Sequence, residues 1–154
     1  MTNRYDRQIR FDAFGEQGQD ALRRASILVL GAGALGSAAS EMLVRAGVGE
    51  LRIVDRDVIE LSNLHRQQLY DEEDVARQLP KAIAAKSRLQ AINSDVSIQA
   101  DMLDVTRHNI NSLLDGVTAV IDATDNIETR LLMNDATWKR NIPLFLGAGV
   151  AIHG

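Results

Sequence analysis

From Ile27 to Gly36 the chain reads ILVLGAGALG, an aliphatic run that passes directly into a Gly-x-Gly-x-x-Gly spacing. Each glycine answers a different physical need. Gly31 makes a tight turn off a strand, Gly33 lets backbone approach a phosphate, and Gly36 lets the following helix pack on that strand. The start of the helix then offers unbonded N–H groups and partial positive charge to an anion. Asp55 follows Gly36 by 19 residues, at the end of the next aliphatic run, where a carboxylate accepts hydrogen bonds from ribose hydroxyls. A glycine turn used only for packing would need no such acid. The combination predicts nucleotide binding at Gly31, Gly33, Gly36 and Asp55.

These residues alone fit a dinucleotide or a triphosphate. The polar connection Asp55–Gln68 is longer than a minimal strand-to-helix loop and carries Asn63 and Arg66. Pro80 and Lys81 then open a helical pattern with a cation in its first turn, where the helix dipole disfavours it by ~0.3–1 kcal/mol. A bound phosphate would remove that conflict. Taken singly, Arg66 and Lys81 read as solvated surface charges; taken together they exceed what a dinucleotide pyrophosphate needs and suit a triphosphate. Asp125 falls just past another aliphatic run, at the edge where open α/β sheets bind ligands, and a hard carboxylate there is a natural Mg²⁺ ligand. It also has capping-box spacing to Glu128, so it could instead start a helix. Asp122 reads as structural, or as a support behind a metal ligand.

The elements that must carry these residues alternate. Short aliphatic runs at Ile27–Leu30, Leu51–Val54, Val96–Ala100, Val117–Ile121 and Pro143–Leu146 have the composition of strands buried on both faces. Helical patterns separate them. Ala34–Ala46 ends at Gly47, a C-terminal cap glycine. Pro80–Ile92 places Ala82, Ala85, Leu89 and Ile92 on one face, with Pro80 at the first helical position. Asn126–Arg140 places Ile127, Leu131 and Trp138 on a stripe. Such alternation predicts a Rossmann-like, doubly wound, mainly parallel α/β sheet with helices on both faces. The boundaries expected are a helical arm over residues 1–25 and a nucleotide-binding domain over 26–154. Asn141–Gly154 has no charged residue, and the expected fold stops short of its last strands.

Composition narrows the function classes. The 154 residues are 45% hydrophobic and 25% charged, as in ordinary globular chains, with a net charge of −4 that argues against a general nucleic-acid or polybasic membrane contact. Cysteine is absent, which excludes disulfides, Cys-ligated zinc and a Cys nucleophile in this chain. The charged N-terminus has no secretory h-region, and the longest uncharged stretch, Ala25–Ser40, is 16 residues with three glycines. A cytoplasmic protein is expected. His65, His108 and His153 lack metal-ligand spacing, and no Ser/His/Asp arrangement is legible.

RYDRQ at 4–8, GAGALG at 31–36, VDRD at 54–57, LSNLHRQ at 61–67, LPK at 79–81 and DATDNIETR at 122–130 occur in the order of a known family. In these motifs the chain resembles the ThiF/MoeB/HesA group of ubiquitin-activating-enzyme-like adenylyltransferases, with bacterial ThiF-type members nearest in pattern. The resemblance implies that Asp55 holds the ATP ribose, that Asn63, Arg66 and Lys81 contact phosphates, and that Asp125 holds Mg²⁺. It further implies that Arg7 enters the active site of the partner in a homodimer. The implied reaction adenylates the C-terminal glycine carboxylate of a ubiquitin-like sulfur carrier and releases pyrophosphate. Such a carboxylate, with a pKa of ~3.3–3.7, is already ionised and needs no general base. The family's second half, with its carrier groove, CxxC zinc ligands and reactive cysteine, is not in this sequence. A tRNA-modifying dehydratase of the same superfamily would share the ATP site. An NAD(P)-dependent oxidoreductase would leave Arg66, Lys81 and Asp125 without a role, and a non-catalytic nucleotide-binding or dimerisation module is the third alternative.

Overall fold

A computed structural model describes residues 4–149. Five strands form one parallel sheet: β1 (Ser26–Leu30), β2 (Glu50–Val54), β3 (Ser97–Asp101), β4 (Ala119–Asp122) and β5 (Leu144–Leu146). Their spatial order is β3-β2-β1-β4-β5, so the chain winds outward from β1 in one direction, returns, and winds the other way through β4. The doubly wound architecture expected from the alternating runs is the one observed.

Burial on both faces explains why β1 is aliphatic throughout. Ile27 and Val29 face a core built with Val44, Leu51, Ile53, Leu89 and Ile98. Leu28 and Leu30 point the other way, into a second core with Val54, Leu113, Val120 and Met133. This is the period-two alternation of a strand, with both sets buried. The first core is roofed by α3 (Ala34–Ala46) and α5 (Lys81–Ile92), with Val75 of the short α4 (Glu72–Ala76) packed against it, and the second by α6 (Ile110–Leu113) and α7 (Ile127–Arg140). Gly47 closes α3 in the left-handed region at φ 85°, donating to Leu43 and Val44 carbonyls as a terminal glycine should.

Two expectations are corrected here. Pro80 is extended, at φ −61° and ψ 138°, and caps α5 from outside rather than occupying its first turn. The stripe on α7 faces away from the core: Ile127, Leu131 and Trp138 are 72%, 62% and 79% exposed, whereas Met133 and Thr137 are buried. The hydroxyl that disguised the buried face is satisfied locally, because Thr137 Oγ1 donates to the Met133 carbonyl at 2.8 Å.

The N-terminal segment forms α1 (Asp6–Ile9) and α2 (Gly15–Arg24), seated where the strands begin. Gln8 Nε2 donates to the Ala46 carbonyl at 2.7 Å and to Gln19 Oε1, and Gln19 Nε2 donates to the same carbonyl at 3.1 Å. The Tyr5 ring lies against Gly47, and Asn93 Nδ2 donates to its hydroxyl at 2.9 Å. Arg4 donates to the Ile92 carbonyl at 3.0 Å. These anchors are the C-terminal ends of α3 and α5, on the side of the sheet opposite the glycine turn.

The orientation of α7 is directly testable by urea denaturation. Met133→Ala should cost about 2–5 kcal/mol, the range for truncating a buried aliphatic side chain. Leu131→Ala should stay within about 0.5 kcal/mol, as for a surface substitution.

Candidate functional site

The glycine turn sits at the carboxyl end of β1, between β2 and β4, where the strand order reverses. That crevice is the ligand site of open α/β sheets. Gly31 has φ 85° and its N–H donates to the Val54 carbonyl at 2.8 Å. A Cβ on Gly36 would overlap the Gly31 carbonyl oxygen, so the helix reaches the strand only because that side chain is missing. At Gly33 the nearest atom to a Cβ would be Gln67 Nε2 at 3.7 Å, so the fold itself does not require glycine there. The three glycines thus divide as expected into a turn, an approach left open and a packing contact.

Asp55 is tied to this turn. Its Oδ2 accepts from the Ala32 N–H at 2.6 Å and its Oδ1 from the Asp57 N–H at 2.8 Å. Each carboxylate oxygen keeps a second lone pair with which to accept a hydroxyl. The Ala32 carbonyl receives the Tyr70 hydroxyl at 2.7 Å and Ser37 Oγ at 3.1 Å, so the turn is held from beneath as well. Burial pushes the Tyr70 hydroxyl well above its ordinary pKa; the Ser37 contact acts oppositely, and the nearby Asp55 and Asp74 charges raise it further. Tyr70 therefore remains a neutral donor. Neither Tyr70 nor Ser37 was legible as a site residue, because an aromatic and a small hydroxyl at that separation carry no motif.

The segment after β2 folds back on itself. Val58 and Pro80 form an antiparallel bridge, and the Lys81 N–H donates to the Asp57 carbonyl at 2.9 Å. Lys81 is buried, with Nζ 3.0 Å from Asp57 Oδ2, so it is not the solvated charge it would be taken for singly. Asp57 already balances the cation that the helix start disfavours. Arg66 is exposed, and its Nη1 donates to the Ser62 carbonyl at 2.9 Å. Asn63 and Gln67 are buried, and the amide oxygen of each lacks a hydrogen-bond partner. Such atoms cost free energy until a donor arrives. An amide oxygen cannot bind phosphate, so a phosphate contact by Asn63 would use Nδ2.

Past β4, the capping reading of Asp125 is overturned. Asn126 is the cap of α7, its side chain accepting from the Thr129 N–H at 3.1 Å. Asp125 is left exposed, with no capping task. Asp122 is fully buried; its Oδ1 accepts from Thr124 N–H at 2.9 Å and Thr124 Oγ1 at 2.7 Å, and its Oδ2 lies 3.4 Å from Arg130 Nε. Leu30 pairs with both Val54 and Asp122, so β2 and β4 end level on either side of the glycine turn, with Asp55 one residue past the first and Asp125 three past the second. Arg7 is not brought there: it lies on α1, beside Gln8, at the opposite edge. His65 and His108 are exposed and His153 lies outside the described residues; among the described residues no cluster of three or more His, Asp or Glu could hold a metal alone.

A doubly wound domain with a glycine turn and flanking carboxylates at its switch point defines a nucleotide-binding class. The chain belongs to the ThiF family, whose model matches residues 5–154. It is 52% identical, over 100% of its length and 46% of the relative's, to the sulfur carrier protein ThiS adenylyltransferase of Bacillus subtilis. It is 37% identical, over 98% of its length and 60% of the relative's, to the molybdopterin-synthase adenylyltransferase of Salmonella typhimurium. Among solved structures, the E. coli tRNA N6-threonylcarbamoyladenosine dehydratase in complex with ATP superposes with a TM-score of 0.88 at 30% identity, over 97% of this chain and 61% of that one. The chain thus spans about half the length of the curated relatives it matches.

Two alanine substitutions separate packing from ligand approach. Gly36→Ala should destabilise the fold by about 1–3 kcal/mol, as overpacking does. Gly33→Ala should cost less, about 0.5–1 kcal/mol for a poorer helix cap, yet weaken ATP binding measured by calorimetry.

Proposed function

We propose that the protein containing this chain is an ATP-dependent adenylyltransferase. Its substrate is the C-terminal glycine carboxylate of a ubiquitin-like sulfur-carrier protein ending in Gly-Gly. The observation that carries the reading is the placement of Asp55 and Asp125 on either side of the glycine turn, in a chain 52% identical to a ThiS adenylyltransferase. The solved neighbour that holds ATP supports the choice of triphosphate over NAD.

In this reading the Gly31–Gly36 turn and the start of α3 receive the nucleotide, and Asp55 accepts the ribose hydroxyls. Asn63, Arg66 and Lys81 contact the phosphates, Asn63 as a neutral donor and the two cations as countercharge. Asp125 fits Mg²⁺, which binds through one or two carboxylates plus substrate phosphates rather than a full protein cage. When bound, the ion neutralises charge on the phosphate oxygens. The carrier carboxylate, ionised at neutral pH, attacks the α-phosphorus; the bond to the bridging oxygen of the β-phosphate breaks, and pyrophosphate leaves with that electron pair. No side chain need take a proton. The protein's task is alignment and charge stabilisation.

Arg7 acts in the partner's site of a homodimer. The 13 residues of α3 span about 20 Å at 1.5 Å per residue, and α1 is bonded to the far end of that helix. Arg7 therefore lies at the end of the domain far from its own chain's nucleotide edge, and a second copy is the means of using it. The cytoplasm, where ATP is supplied, is the proposed location.

ATP–pyrophosphate exchange should appear only when a diglycine-ended carrier is added. NAD binding tighter than ATP–Mg²⁺ would overturn the assignment. Arg7→Ala and Asp125→Ala proteins, each nearly inactive, should rescue one another on mixing. Half the dimers are then mixed and each has one intact site, so recovery approaches about a quarter of wild-type exchange. No rescue despite subunit exchange would place Arg7 outside the partner's site.

A further inference from the structure

Asp122 is a fully buried charge in a strand whose other residues, Ala119, Val120 and Ile121, are apolar. A buried ion pair seldom stabilises a fold more than a well-packed apolar pair would. Its geometry here does something else. Arg130, on the first turns of α7, places Nε 3.4 Å from Asp122 Oδ2 and donates through Nη2 to the carbonyls of Thr124 at 2.8 Å and Gly147 at 2.9 Å. Thr124 has every polar group engaged: N–H and Oγ1 on Asp122, carbonyl on Arg130. On the other side, Asn126 is fixed by its cap to Thr129 and by its carbonyl, which accepts the Arg130 N–H at 3.1 Å. Asp125 is the exposed residue between two clamped neighbours. The Gly147 N–H donates to the Asp122 carbonyl at 2.9 Å, so the same arginine also ties the exit of β5 to this loop.

We infer that Arg130, held by Asp122, is a positioning residue that fixes the Asp125 carboxylate for the metal–nucleotide complex. The inference rests on the assignment of Asp125 to the metal. A guanidinium suits this task because Nη2 bonds both carbonyls while Nε, held rigidly in the same plane, faces the carboxylate as a charge contact without a hydrogen bond; an ammonium brings all its donors to one point.

The test is Mn²⁺ binding followed by electron paramagnetic resonance, in the full chain saturated with a non-hydrolysable ATP analogue, beside metal-free affinity for the analogue. Arg130→Lys keeps a positive charge near Asp122. It should weaken Mn²⁺ by about 10-fold or more, as loss of an outer partner of a metal ligand does. Metal-free affinity should change less than about twofold, since the nucleotide contacts lie on other segments. The double variant Asp122→Asn/Arg130→Gln removes both charges, avoiding an unpaired buried ion, and should show the same split. Wild-type Mn²⁺ affinity in both variants would overturn the inference, as would equal loss of metal and metal-free nucleotide affinity. A wild-type chain that binds the analogue but gains no Mn²⁺ affinity from it would overturn the Asp125 assignment itself, and the inference with it.

Discussion

Everything at the nucleotide edge depends on how closely backbone approaches backbone around Gly31. A Cβ at that residue would lie 2.9 Å from the Ala123 carbonyl oxygen, and one at Gly36 would overlap the Gly31 carbonyl. At these two glycines the end of β4, the turn after β1 and the start of α3 therefore approach main chain to main chain. The Ala123 N–H donates to the Leu30 carbonyl at 2.9 Å and the Gly31 N–H to that of Val54, so three strand ends are locked in register at this point. Helix α3 can present its N-terminus to the crevice because no side chain stands in the way. Side-chain volume at either glycine would displace the helix, the loop bearing Asp125, or both.

Around that contact the structure spends charge in pairs. Lys81 is balanced by Asp57, and Arg130 by Asp122. Asp55 is satisfied by two backbone N–H groups. Each pairing fixes a segment: the return of the chain after β2, the loop after β4, and the turn itself. Removing Asp57 or Arg130 would strand Lys81 or Asp122 in a poorly solvated place, which costs more than the pair gains. The paired groups thus belong to the architecture even where they also border the ligand edge.

Much of this was legible from residue order. Strands buried on both faces announce themselves as aliphatic runs, and a Gly-x-Gly-x-x-Gly following one of them locates the turn, as Gly31 and Gly36 bear out. What escaped depended on contacts between residues distant in sequence. Tyr70 reaches Ala32 across 38 positions, and Arg130 reaches Gly147 across 17, with no local pattern to mark either. The alternative that Asp125 caps α7 misses by one position, because Asp125 and Asn126 are both good caps and only backbone geometry selects Asn126. The face of α7 was misread for a different reason. Hydrophobicity favoured Ile127, Leu131 and Trp138, while the core takes Met133 and a threonine whose hydroxyl bonds back to its own helix.

The cations differ in what they can still offer an anion. Lys81 and Arg130 are already committed to carboxylates, so an arriving phosphate must share or displace an existing partner. Arg66 is held by the Ser62 carbonyl and, among the described residues, by no carboxylate. Its full charge is therefore available, and its exposure lets it move toward a ligand without first breaking an ion pair. The same exposure belongs to Arg7, but on the edge of the sheet opposite the glycine turn. In the proposed reaction, positive charge on departing pyrophosphate would come from Arg66 of the same chain and from Arg7 of a second copy. Either alone would leave a triphosphate less than neutralised, and two free arginines on one loop would repel each other before the ligand arrived.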